Sequence, residues 1–282
     1  MLRNPRIPLL AALACLALLA LTGVMAYLSP VAQVRDSAAL QGFTELNRPR
    51  LTPWLNDVAH LANPLQYALI GLGLAGIAAA RGRGRVALAI LALLFLTGAT
   101  TEALKPLLAH PRHAGWLGSN QIAAASWPSG HATASMTLAL CFVLAVPARL
   151  RPVAAAVGAV FAISVSYAIL ALAWHWPSDV VGGFLVATTW TLVAVAAITR
   201  LDLVRPPAGR PPDGAPAPLW STARIDLGVA AVAGVMVLLV AIARPRNVAQ
   251  FALDRPSLMV VAGVIAGLAA VLTATMARAA RP

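Results

Sequence analysis

The chain is built from apolar runs of roughly 20 residues, separated by loops that carry most of its charge. A transmembrane helix needs about 20 apolar residues, because each adds about 1.5 Å across a hydrocarbon core about 30 Å thick. Hydrophobic residues form 60% of the chain and charged residues 11%, whereas soluble domains are about one-quarter charged. A water-soluble fold could not bury this much apolar surface, so the sequence predicts a membrane protein.

The apolar pattern predicts an all-α, polytopic transmembrane bundle. Residues 1–199 are expected to form a six-helix body, residues 200–225 a Pro- and Gly-rich cytoplasmic linker, and residues 226–282 a two-helix transmembrane tail. The first run is longer than the core of a usual signal peptide, which favours an anchor over a cleaved leader. The expected spans are 7–28, 64–80, 86–104, 131–148, 153–174, 179–199, 226–243 and 257–277.

The charges predict both the orientation and the partner. Arginines are more frequent in the loops on the N-terminal side of the membrane, so both termini are expected in the cytoplasm. The net charge of +12 lies in these short loops, which argues for the lipid bilayer and against nucleic acid as the partner. Cys15 and Cys141 lie within apolar runs and are interpreted as core residues. The outer segment 30–62 is polar, and four of its apolar residues are expected on the membrane surface: Leu40, Phe43, Leu46 and Leu51.

Three segments on the expected outer side hold most of the unusual residues. One is Pro128-Ser129-Gly130-His131, at the start of a span. Ser129 can cap the helix, Gly130 lets a ligand approach the backbone, and the helix N-terminus attracts anions. Taken alone, ordinary helix capping is the simpler interpretation of this segment.

The other two segments supply a second histidine and two cations. Asp179 follows His175 by four residues, and a carboxylate on one imidazole nitrogen leaves the other nitrogen nucleophilic. Alone, a histidine at the membrane interface near a helix start explains this pair equally well. Lys105, the single lysine of the chain, and Arg112 follow the third span. Such cations either anchor at the membrane surface or bind phosphate.

Together the three segments resemble the signature of the type 2 phosphatidic acid phosphatase family, whose members include polyprenyl diphosphate phosphatases. Its first motif, Lys, six residues, Arg and Pro, matches Lys105 and Arg112, with His113 in place of the Pro. Its second motif, Pro-Ser-Gly-His, is intact. The resemblance covers roughly residues 86–199.

The third motif of the family is only half present. Its His and Asp match His175 and Asp179, but its Ser-Arg pair is replaced by Ala168 and Ile169. In the family that Arg helps to hold phosphate. The replacement therefore lowers the expected number of phosphate-binding cations from three to two.

The resemblance implies a reaction that needs neither metal nor cofactor. His175 is the implied nucleophile and forms a phosphohistidine, Asp179 orients its ring, and His131 protonates the leaving oxygen and then activates water. The implied phosphate ligands are Lys105, Arg112, Ser129 and Gly130, with His113 as a candidate substitute for the missing Arg.

We therefore expect an integral-membrane phosphatase that acts on a lipid phosphate or diphosphate, preferably converting polyprenyl diphosphate to polyprenyl phosphate. Its site is expected on the extracytoplasmic face of the plasma membrane. The alternative is a catalytically weak or inactive phosphatase-like protein that binds lipid or serves as a scaffold, which the missing Arg favours. A transporter is disfavoured because no charged residue lies at the middle of a span. The motifs leave the oligomeric state open.

Overall fold

The computed structural model describes residues 4–204 and 248–279. Within them the chain forms ten α-helices, two single 3₁₀ turns and no strands, so the predicted all-α fold is confirmed. The helices are α1 (Arg6–Leu28), α2 (Pro30–Thr44), α3 (Thr52–His60), α4 (Pro64–Ala80), α5 (Gly84–Leu107), α6 (Gly130–Ala145), α7 (Arg151–Ala171), α8 (Pro177–Val204), α9 (Val248–Asp254) and α10 (Pro256–Ala279).

Five of the described helices are long and apolar enough to cross a membrane: α1, α5, α7, α8 and α10. A sixth span results if α3 and α4, which are bent by 51° relative to each other, are counted together. α6 is apolar but has only 16 residues. These helices support the predicted multi-pass membrane protein. The expected span 226–243 lies outside the described residues.

The end of α8 differs from the predicted start of the linker. The helix continues to Val204, past the expected boundary at residue 199, and Asp202 forms an ion pair there with Arg85 at the start of α5. Residues 205–225 of the expected linker lie outside the described part of the chain.

α6 is the central helix of the bundle and packs against α4, α5, α7, α8 and α10. Its buried hydroxyls donate to backbone carbonyls of the same helix; Thr133 Oγ1, for example, lies 2.8 Å from the carbonyl oxygen of Ser129. These bonds avoid the cost of unpaired polar groups in apolar surroundings. A Cβ on Gly158 of α7 would lie 2.9 Å from the Cβ of Ala139, so α6 and α7 approach at a contact that only glycine permits.

The segment that precedes α4 is packed into the bundle. Leu40, Phe43 and Leu46 are completely buried, which corrects the expectation that they lie on the membrane surface. α2 is covered by α7 and α10, and the ring of Phe43 lies 5.4 Å from that of Tyr167. The sequence of α2 alone could not reveal this burial, because the covering helices come much later in the chain. Leu51 is half-buried against the same core.

The C-terminal helix α10 is part of this packing. A Cβ on Gly42 of α2 would lie 2.8 Å from the Cβ of Leu258. Arg255 Nη2 donates to Glu45 Oε1 at 2.8 Å, and Tyr167 Oη donates to the carbonyl of Ala262 at 2.8 Å. α10 therefore holds α2 against α7.

A Gly42→Ala substitution tests this contact. We expect a lower thermal unfolding midpoint in detergent, because the added methyl group would separate α2 from α10 and overpacking costs about 1–3 kcal/mol. The matched control is Gly263→Ala on α10, where nothing lies within 4 Å of the added Cβ. Equal midpoints for the two variants would contradict the packing of α10 on α2.

Candidate active site

Three loops meet at one end of the bundle, where α5 ends, α6 begins and α7 turns into α8. Lys105 lies in the last turn of α5, and its Nζ is 3.5 Å from the position that a Cβ on Gly130 would occupy. The ring centroids of His131 and His175 are 6.3 Å apart. The structure therefore brings together the lysine and both histidines that the sequence singled out.

The turn after α7 carries His175 to this position. The amide of Ala173 donates to the carbonyl of Leu170 at 3.0 Å, and that of Trp174 donates to the carbonyl of Ile169 at 2.9 Å. These bonds form a Schellman motif, whose left-handed residue is usually glycine. Here it is Ala173, with φ of 57°, a conformation that costs a residue with a Cβ about 1–2 kcal/mol. Backbone strain thus lies two residues before His175.

Asp179 orients His175 from the first turn of α8. Asp179 Oδ2 accepts the amide of Trp176 at 3.0 Å, while the Asp179 amide donates to the carbonyl of Trp176 at 2.9 Å. This is the acidic half of a capping box. Because it fixes the carboxylate, Oδ2 lies 3.4 Å from Nδ1 of His175. The Nε2 atom of His175 is left as the nitrogen that can react.

The start of α6 is joined to the start of α8. Ser129 is completely buried and its Oγ accepts the amide of Ala132 at 3.3 Å, as an N-cap does. The Ser129 amide donates to the carbonyl of Asp179 at 2.9 Å. A Cβ on Gly183 would lie 2.8 Å from the carbonyl oxygen of Ser129. Glycine at position 183 is therefore what lets the two helix starts come together.

His131 has a partner that the sequence interpretation missed. Its Nε2 lies 3.0 Å from Oδ1 of Asn63, which precedes α4, and its ring lies 5.4 Å from that of Trp174. The only sequence signal for Asn63 is a polar residue directly before a proline at the start of a span. That signal is also typical of an ordinary helix start, so it did not identify the residue.

Arg112 is buried, with only 5% of its side chain exposed. Nη1 donates to Ser178 Oγ at 2.8 Å and to Asp36 Oδ2 at 3.3 Å. Nη2 donates to Ser126 Oγ at 2.9 Å and to Asp179 Oδ1. The guanidinium also lies 5.4 Å from the ring of Tyr27 and 5.1 Å from that of Trp176. Four acceptors thus use the four hydrogens of its two terminal nitrogens.

Asp36 is the second residue that the sequence interpretation missed. It lies on α2, and its Oδ1 accepts the amide of Ser178 at 3.0 Å while its Oδ2 accepts the hydroxyl of Ser178 at 2.6 Å. The sequence offered one indirect signal: Trp176, which precedes α8, has no side-chain oxygen to cap the helix. An acceptor for the free amides of α8 had to come from elsewhere.

The positions that depart from the family pattern bring no further cation to this cluster. Ala168 and Ile169 are buried in the core. His113, the candidate substitute, is exposed on the loop after Arg112. Among the described residues, no group of three or more His, Cys, Asp or Glu side chains could hold a metal ion.

These groups form a site with two neighbouring imidazoles, one buried carboxylate beside the second imidazole, and Lys105 close to the start of α6. Residues 86–202 match the family model of the PAP2 superfamily. The members of this superfamily are phosphatases, and the match supports phosphatase activity on lipid-like phosphates. The matched segment contains Lys105, His131, His175 and Asp179, whereas Asp36 and Asn63 lie before it. No curated protein and no solved structure was found to match the chain.

The close contact between α6 and α8 predicts that Gly183→Ala strongly lowers the stability of the protein. The new methyl group would meet the carbonyl oxygen of Ser129 at 2.8 Å and the amide nitrogen of Thr133 at 2.9 Å. Backbone atoms cannot move aside as a flexible side chain can, so we expect a lower unfolding midpoint. The control is Gly98→Ala on α5, where nothing lies within 4 Å of the added Cβ. A Gly183→Ala protein as stable as this control would contradict the described junction.

Proposed function

We propose that this protein is an integral-membrane phosphatase that hydrolyses a lipid phosphate or diphosphate through a phosphohistidine at His175. The observation that carries the proposal is the pair of neighbouring imidazoles. The ring centroids of His131 and His175 are 6.3 Å apart, close enough for one phosphoryl group to contact both a nucleophile and an acid. The PAP2 superfamily match over residues 86–202 supports the same reaction class.

In the first step, Nε2 of His175 attacks phosphorus and the bond from phosphorus to the leaving oxygen breaks. Asp179 stabilises the positive charge that develops on the imidazole, since its Oδ2 lies 3.4 Å from Nδ1. The negative charge of the bound phosphate favours the protonated form of His131, which gives its proton to the leaving oxygen. The products of this step are a phosphohistidine and the dephosphorylated lipid, or the lipid monophosphate when the substrate is a diphosphate.

In the second step, water replaces the departed lipid. His131, now neutral, accepts a proton from the water as its oxygen attacks phosphorus. The bond from phosphorus to Nε2 of His175 breaks, and inorganic phosphate is released. The bond from His131 to Asn63 keeps the ring oriented in both steps.

The phosphoryl oxygens are held by Lys105 and by the start of α6. The first amides of a helix lack intrahelical acceptors and favour an anion. Gly130 leaves room for phosphate beside Lys105 Nζ. Ser129 acts there as the cap that fixes the helix start, since its Oγ already accepts the amide of Ala132. Because side chains supply the charge in this scheme, we expect phosphate release to be insensitive to EDTA.

A membrane lipid is the substrate that suits the surroundings of the site. Leu107, Leu108 and Trp116 are exposed on the segments that carry Lys105 and Arg112, with Leu107 76% exposed. Such side chains suit an acyl or polyprenyl chain at the membrane interface. We propose polyprenyl diphosphate as the preferred substrate and the extracytoplasmic face of the plasma membrane as the location.

His175→Ala and His131→Ala should have different effects on the cleavage of p-nitrophenyl phosphate, whose leaving group needs little protonation. We expect no p-nitrophenol from His175→Ala, because the covalent intermediate cannot form. His131→Ala should release a burst of about one equivalent and then stop, because water is no longer activated. Rapid quench followed by detection of acid-labile phosphate on the protein measures the intermediate.

Two outcomes of this experiment would contradict the mechanism. One is steady turnover by His175→Ala at the wild-type rate. The other is a burst by His175→Ala with none by His131→Ala, which would exchange the roles of the histidines. Phosphate release by the wild-type protein from a panel of lipid phosphates then identifies the substrate.

The proposed orientation predicts the accessibility of the loop between α5 and α6. In a variant without Cys15 and Cys141, Ser119→Cys should react with a membrane-impermeant thiol reagent in intact cells, because Ser119 is exposed on that loop. Labelling that occurs only after lysis would place the site on the cytoplasmic face.

The second candidate function is a lipid-binding or scaffold protein with a phosphatase fold. The replacement of the third-motif Ser-Arg by the buried pair Ala168 and Ile169 favours it. A wild-type protein that binds vanadate or lipid phosphate but releases no phosphate from any member of the panel would support this alternative.

A further inference from the structure

We infer that Asp36 is a positioning residue of the active site: with Asp179 it holds the buried Arg112 between two carboxylates, and it caps the helix that carries Asp179. This inference rests on the proposed function for its kinetic readout. It adds a residue from α2, outside the PAP2 superfamily segment 86–202, to the site.

Asp36 caps the start of α8. The helix starts at Pro177, and Trp176 before it offers no side-chain oxygen. Asp36 supplies the missing acceptor: its Oδ1 lies 3.0 Å from the amide nitrogen of Ser178, and its Oδ2 accepts the Ser178 hydroxyl at 2.6 Å. A carboxylate at this end also interacts favourably with the helix dipole. Asp36 therefore fixes the turn in which Asp179 lies.

The two carboxylate oxygens of Asp179 have different partners. Oδ1 faces Arg112, while Oδ2 faces the His175 ring and the Trp176 amide. A lone pair of Arg112 and Asp179 would be neutral, and the arginine would cancel the charge that His175 needs. Nη1 of Arg112 also donates to Asp36. Because the cluster then contains two carboxylates and one guanidinium, it keeps a net negative charge beside His175.

The guanidinium of Arg112 is held by protein acceptors. Both of its terminal nitrogens have a full set of acceptors, and two of these are the carboxylates of Asp36 and Asp179. A phosphate could accept hydrogen bonds from these nitrogens only by displacing one of their present acceptors. Arg112 therefore orients Asp179 in this site. Lys105, whose Nζ pairs with the exposed Glu102 at 2.6 Å, is the cation beside the start of α6.

The environment of Asp36 shows that its charge is unfavourable for folding. Burial raises the pKa of Asp36 to about 6, although the hydrogen bonds from Ser178 and the charge of Arg112 act to lower it. A carboxyl whose pKa is higher in the folded than in the unfolded state costs stability as the pH rises from about 4 to about 6. Near neutral pH Asp36 is thus charged, and this charge lowers the stability of the protein. Such a loss of stability is common for residues of functional sites.

The test compares Asp36→Asn with Asp57→Asn, which makes the same change on an exposed carboxylate of α3. With p-nitrophenyl phosphate as the probe, Asp36→Asn should lower kcat about 10-fold, since a small misplacement of reacting groups has effects of this size or larger. Because Asp36 does not touch the phosphate, KM and the inhibition constant for vanadate should change by less than about 2-fold. Asp57→Asn should leave all three values unchanged.

A double mutant tests whether Asp36 acts through Arg112. Arg112→Gln should lower kcat while leaving vanadate inhibition nearly unchanged. Adding Asp36→Asn to it should cause a smaller loss than Asp36→Asn causes alone, because the carboxylate then has no guanidinium to hold and only its cap on α8 is removed. A second loss of kcat as large as that of the single variant would overturn the inference. So would a large rise in KM or in the vanadate inhibition constant for either single variant, since that would mean direct contact with phosphate.

A readout without catalysis keeps the two proposals distinct. The unfolding midpoints of the wild type, both single variants and the double variant form a cycle that requires no substrate. Non-additive midpoints support the Asp36–Arg112 contact even if the wild type releases no phosphate, in which case only the proposed function fails. Additive midpoints would overturn the inference. If Arg112→Gln does not fold, the kinetic comparison of Asp36→Asn with Asp57→Asn decides alone: no loss of kcat in Asp36→Asn would overturn it.

Discussion

The close approach of α8 to the start of α6 is the contact on which the rest of the site depends. Gly183 lets the carbonyl of Ser129 lie directly against α8, and the Ser129 amide then reaches the carbonyl of Asp179. Because the two helices start side by side, the histidine at the beginning of α6 lies near the histidine just before α8. A side chain at position 183 would move both histidines relative to each other, although it belongs to neither motif.

The same junction explains why so many polar groups tolerate burial at the end of an apolar bundle. Each helix start exposes amides without intrahelical acceptors, and Ser129, Asp36 and Asp179 satisfy several of them. Arg112 compensates the carboxylates, and its guanidinium lies 5.4 Å from the ring of Tyr27 and 5.1 Å from that of Trp176. Hydrogen bonds and ion pairs therefore satisfy the groups of this polar cluster. Buried charges are tolerated in a protein under this condition.

The sequence predicted the parts of this molecule that follow from local pattern. Apolar length identified α1, α5, α7, α8 and α10, and motif spacing identified Lys105, His131, His175 and Asp179 as neighbours. It could not predict the burial of α2, because the helices that cover α2 lie far along the chain. The sequence did not predict Asn63 and Asp36 as site residues for the same reason. Their partners are 68 and 142 residues away, and neither residue belongs to a motif.

The separation between Asp36 and Ser178 also has a consequence for the biogenesis of the protein. During synthesis α2 leaves the ribosome long before α8 exists. Asp36 therefore has no partner while the four apolar helices between α3 and α8 are inserted. Until then its carboxylate has to stay hydrated or protonated at the membrane surface, because burial without Ser178 and Arg112 would leave it unpaired. Closure of α2 onto α8 can therefore only follow the synthesis of α8, which makes it a late event of assembly.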